Sequence, residues 1–147
     1  MSWIVYAIIA AILWGLNYTL TEQLMKTVSI ATLMLAAAVC SFIFALFLGA
    51  SQKGFLTDWQ VLKKMSTETT FFFASIVVYI AANFFILLSI KAKNATMAGM
   101  IEITYPLFTA FFAWALFRQT QVTLGTLLGA GLIIAGVGCI YFLDKTS

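Results

Sequence analysis

Charge is scarce in this chain, and histidine is missing altogether. The 147 residues include eight Lys or Arg, five Asp or Glu and no His. Without histidine, the commonest neutral-pH base and metal ligand is absent. There is one proline and there are two cysteines, and both Cys40 and Cys139 fall inside long apolar runs. Two cysteines without histidine make a poor metal site, and cysteines inside such runs report nothing about a redox compartment. Packing explains them better, and no metal or cofactor is expected. No glycine-rich phosphate loop follows a strand, and no nucleophile has a plausible base beside it. Soluble-type enzyme chemistry has no residues to run on, so the chain reads as a non-enzyme. The basic residues are dispersed rather than clustered, which argues against nucleic acid as a partner.

What remains is apolar. Hydrophobic residues make up 63% of the chain and charged residues 9%, which leaves no room for a soluble domain and indicates an integral membrane protein. Residues 1–21, 27–52, 69–90, 95–117 and 122–143 contain no Lys or Arg and a single acid, Glu102. Each run is long enough to cross a hydrocarbon core as a helix. The expected fold is all-α: one bundle of five transmembrane helices at about 2–21, 28–51, 69–90, 95–117 and 122–143. No basic region precedes the first run, and its middle carries Trp14, Asn17 and Tyr18, so it is expected to be a retained helix rather than a signal peptide. Between the second and third runs, Phe55, Leu56, Trp59, Leu62 and Met65 recur at helical spacing around Lys63 and Lys64. That pattern suits a short amphipathic helix at about 55–65 lying in the interface, with a simple loop helix of no functional consequence as the plainer alternative.

Orientation is undetermined by charge. Lys53, Lys63, Lys64 and Arg118 fall on the side of the N-terminus, and Lys26, Lys91, Lys93 and Lys145 on the other. Lys/Arg bias normally sets orientation, and here it is four against four. A chain with no preferred orientation can insert both ways and pair head to tail, so an antiparallel homodimer is expected. Such a pair is how a half-size transporter builds a two-sided pathway.

Candidate site residues lie on three of the spans. In the first, Ala7, Ala10, Ala11, Trp14, Asn17, Tyr18 and Thr21 fall on one face. Polar groups in lipid are costly when unsatisfied, so this stripe is expected to face protein or a water-filled cavity. Ser75, Tyr79, Ala82, Asn83 and Ile86 form a similar stripe in the third. For Asn17 and Asn83 the plain alternative is interhelical hydrogen bonding that only glues the bundle, worth about 1 kcal/mol each. In the fourth, Glu102 lies about two turns from the nearer end, roughly 10 Å. On its face lie Ala98, Tyr105, Pro106, Thr109 and Ala113. Intramembrane acids are rare and expensive, and they mark function by default. Desolvation favours the neutral acid, and a proton-coupled carrier uses such a group. The alternative is a protonated Glu held by a neighbouring helix. Pro106 removes the backbone bond to the carbonyl of Glu102 and predicts a kink there, a possible hinge beside the acid.

The fifth span reads as an assembly helix. Gly125, Gly129, Gly136 and Cys139 share one face, and Gly131, Ala135 and Gly138 another. Two small-residue faces admit one partner within the bundle and one across a dimer seam.

These residues resemble the drug/metabolite transporter superfamily, specifically a single EamA-type five-helix repeat. The Trp14-Gly15 pair resembles the WG such repeats often carry in their first span. The run from Ala92 to Leu143, with "ITYPLFTAFFAWALF" and "TLGTLLGAGLIIAGVGCIYFL", resembles their second half. Nearly the whole chain is covered. One position departs: where these repeats commonly carry a Glu, nine residues before Gly129, this chain has Thr120. A more distant resemblance is to the small multidrug resistance family, four-helical antiparallel dimers with a coupling acid in the first helix. This chain has no acid there until Glu22, so Glu102 would take that role. Known full-length members fuse two inverted repeats, which implies that a single repeat dimerises.

The functional expectation is a secondary active transporter in the inner membrane of a prokaryote, multi-pass and antiparallel-dimeric. It would export small metabolites, amino acids or amphipathic cations by alternating access, in exchange for protons. Glu102 is the expected proton or cation site, with Pro106 its hinge and Trp14, Asn17, Tyr18, Tyr79, Asn83 and Tyr105 its lining. Gly125, Gly129 and Gly136 are the expected packing positions. The alternatives are a passive dual-topology channel and a non-transporting membrane subunit of a larger complex.

Overall fold

The computed structural model describes residues 3–51, 55–64, 67–120 and 122–144. Lys53, Lys145, Met65 and Ser2, which enter the charge count or the expected helix bounds, lie outside them. Among the described residues every regular element is a helix, seven in all. These are α1 (Trp3–Leu24), α2 (Ile30–Ser51), α3 (Phe55–Lys63), α4 (Thr67–Ala92), α5 (Ala95–Glu102), α6 (Tyr105–Phe117) and α7 (Leu124–Asp144).

Among the described residues five stretches are long and apolar enough to cross a membrane. They are α1, Ile30–Ala50 within α2, α4, Ala95–Phe117 across α5 and α6, and Leu124–Leu143 within α7. Their lengths run from 20 to 26 residues, and about 20 residues at 1.5 Å each match a hydrocarbon core of about 30 Å. The fold is therefore an all-α, multi-pass membrane protein with five transmembrane spans.

Local chemistry sets where the spans begin and end. After α1 the chain turns through residues 25–29, where the amides of Met25 and Val28 return to the carbonyls of Thr21 and Leu24 at 2.9 and 2.8 Å. Ser29 then starts α2 by accepting the amide of Thr32 at 3.2 Å. Thr123 starts α7 in the same way, accepting the amide of Thr126 at 3.2 Å. Asn94, fully extended, caps α5 by accepting the amide of Met97 at 2.8 Å. Each cap satisfies an orphan donor that lipid cannot. At the other end of the fourth span Arg118 adopts the left-handed conformation, φ 55°, and α6 closes with the amides of Arg118 and Gln119 donating to the carbonyls of Trp114 and Ala113 at 3.0 and 3.1 Å.

By compactness the chain divides into two units, Met1–Thr19 with Lys93–Ser147, and Leu20–Ala92. In the second, α4 touches both α2 and α3. The buried Thr69 hydroxyl donates to the carbonyl of Leu62 at 3.0 Å, tying α4 to α3. The Lys63 ammonium lies 5.7 Å from the Trp59 ring centroid. The first unit holds Ala95 and Ala98, both buried, on the face of α5 that positions the site. Few side chains are buried, and the spans present Leu, Ile, Val and Phe outward along their lengths, the surface a lipid solvent calls for.

Candidate functional site around Glu102

The fourth span is not one helix. α5 ends on Glu102, Ile103 and Thr104 form a turn, and α6 begins at Tyr105 with Pro106 in its first turn. The cause is local. Proline has no amide proton, so the carbonyl of Glu102 loses its α-helical donor. The amides of Thr104 and Leu107 instead bond three residues back, to Ile101 and Thr104, at 3.1 and 3.0 Å. Ile103 and Thr104 stay in the right-handed region (φ −58° and −74°), so the break is a tightened turn and not an unwound loop.

Glu102 sits half-buried at this break. Its carboxylate Oε2 accepts a hydrogen bond from the hydroxyl of Tyr18 on α1, a link between residues 84 apart in sequence. Tyr18 is itself half-buried. Its ring lies over Gly99, one turn before the acid: a Cβ on Gly99 would stand 3.5 Å from Cδ2 and 3.7 Å from Cε2 of the tyrosine. Any side chain beyond a methyl would push the ring away. Trp14, one turn earlier on α1, meets Tyr18 with ring centroids 5.5 Å apart and planes tilted by 54°. Trp14, Tyr18, Gly99 and Glu102 all belong to the first compact unit.

The other expected positions are arranged differently. Asn17 and Tyr105 face outward from the single chain, although helical spacing put Tyr105 on the face of Glu102. Tyr79 and Asn83 belong to the second unit. Asn83 donates its side-chain amide to the carbonyl of Tyr79 at 2.9 Å, and the Tyr79 ring is exposed. At Gly129, Gly131, Gly136 and Gly138 an added Cβ would meet nothing within 4 Å among the described residues, and at Gly125 only Thr123 Oγ1 at 3.8 Å. Both small-residue faces of α7 thus stand open. Cys40 and Cys139 are free and exposed. Among the described residues no group of His, Cys, Asp or Glu could hold a metal ion.

Gly99 is the residue that sequence reasoning missed. Its signal was available, since a glycine three positions before an intramembrane acid leaves a gap on the acid's own face. Nothing in the sequence said which ring would fill it.

No curated protein and no solved structure matches the chain. A family model does, that of the EamA-like transporter family, over residues 1–142. A match of that extent takes in the spans but for Leu143, the last residue of the fifth, and the chain belongs to the EamA-like transporter family.

Proposed function

We propose that this chain is a secondary active exporter of small metabolites, amino acids or amphipathic cations, coupled to protons through Glu102. The membership of a transporter family supports the class. The observation that carries the site is the Tyr18–Glu102 hydrogen bond beside a broken helix. It puts the chain's intramembrane acid on a neighbouring helix through one replaceable contact, next to a backbone interruption of the kind binding sites use. Trp14 and Tyr18 add aromatic faces that suit an organic cation. Alternating access would turn on Pro106.

The working unit in this reading is an antiparallel homodimer in a prokaryotic inner membrane. The four-to-four division of Lys and Arg supports insertion both ways. The open glycine faces of α7 supply a surface on which a second copy can approach closely.

The test is transport by the purified chain in proteoliposomes carrying an internal pH reporter. Amino acids and organic cations are offered as a panel against an imposed proton gradient. An active solute should dissipate the gradient, and Glu102→Gln should reduce that coupled flux at least tenfold. Undiminished flux in Glu102→Gln would make the chain a passive channel. No flux from the purified chain with any solute would make it a subunit that needs a partner.

A further inference from the structure

The bond between Tyr18 and Glu102 joins two half-buried side chains from distant parts of the sequence. The ring rests on a glycine with room for one methyl and meets the exposed Trp14. The acid, meanwhile, terminates α5 at a point where the helix is already interrupted. An acid in hydrocarbon must always have a partner, because leaving it unsatisfied costs several kcal/mol. A hydroxyl that supplies the partner when nothing is bound, and withdraws when something is, meets that need at every stage of a cycle.

We infer that Tyr18, seated on Gly99, is a positioning residue that competes with the substrate for Glu102, holding the carboxylate until a cationic solute displaces the hydroxyl. Gly99 makes the seat and Tyr18 is the stopper. This inference rests on the transport reading for its substrate, but the contact itself is testable without transport. Competition has a definite signature. Removing the competitor raises apparent affinity, because the binding-competent fraction is no longer reduced by the closed state. A hydrogen bond to a charged group shifts that balance by about tenfold. A tyrosine that instead ligates the substrate would give the reverse.

The experiment compares wild type, Tyr18→Phe, Gly99→Ala and Gly99→Leu in liposomes, with Glu102→Gln as the blank. The first readout is the rate at which dicyclohexylcarbodiimide, an apolar reagent that adds to carboxylic acids, labels Glu102, followed by peptide mass spectrometry. Tyr18→Phe keeps the ring and loses the hydroxyl. Gly99→Leu displaces the ring while leaving both residues of the bond unsubstituted, whereas Gly99→Ala fits the 3.5 Å contact. Labelling of Glu102 should rise about tenfold in Tyr18→Phe and in Gly99→Leu and stay at the wild-type rate in Gly99→Ala. The second readout is transport, where Tyr18→Phe should lower KM. Equal labelling in all four proteins would overturn the proposal, as would a raised KM in Tyr18→Phe. Labelling in the expected order from a chain that moves no solute would leave the Tyr18 stopper standing and sink the transport reading instead.

Discussion

Asn94 opens α5 by accepting the amide of Met97 at 2.8 Å, and the carboxyl site lies at the other end of that eight-residue helix. Removing the cap should therefore be felt in stability. Asn94→Ala is expected to cost about 1 kcal/mol, and Asn94→Asp or Ser to recover most of it; thermal unfolding in detergent reads the difference. Other polar residues in the spans are cheaper to lose. Thr19, Ser75, Asn83 and Thr109 all donate to a carbonyl three or four residues back in their own helix, at 2.8 to 3.1 Å. A polar side chain in a span thus does not by itself imply a neighbouring surface, because the helix backbone satisfies it. Ser75→Ala and Thr109→Val should each change stability by about 0.5 kcal/mol or less and leave transport as it is. A large loss of flux in either variant would show that these hydroxyls face the pathway.

The α5–α6 break is the element on which the proposed mechanism turns. Replacing Pro106 with Ala returns an amide proton to position 106, and with it a donor for the carbonyl of Glu102. The two helices should then join. Backbone hydrogen exchange at residues 103–107 is expected to slow in Pro106→Ala, with stability unchanged or raised and turnover reduced several-fold. Full turnover with slowed exchange would remove Pro106 from the mechanism. At the far end of α6, Arg118 holds a left-handed conformation with its guanidinium 5.5 Å from the Trp114 ring centroid. Glycine would relieve a conformational cost of about 1–2 kcal/mol and forfeit a cation–π contact worth about 0.5–1 kcal/mol. The relief is the larger, so Arg118→Gly is expected to fold at least as well as wild type.

That substitution also separates folding from orientation, which belongs to the molecule as a whole. Arg118→Gly leaves three basic residues on one side against four on the other. A reporter fused to the C-terminus should give signal from both sides of the membrane in wild type and a skewed ratio in Arg118→Gly. Signal from one side only in wild type would end the case for dual insertion. Span number and all-helical class were readable from composition, because a bilayer admits one kind of apolar segment of about 20 residues and satisfies none of its backbone from outside. The break after Glu102 was readable too, since proline acts on the backbone within its own turn. The Tyr18–Glu102 pairing was not, nor was the exposure of Tyr105. Which ring reaches an acid 84 residues away depends on how two helices are rotated and offset. Hydrophobic pattern says little about that where lipid is as apolar as the side chains. Membrane class and helix ends follow from chemistry within about one turn of each residue. The partner of the half-buried acid follows from packing between helices.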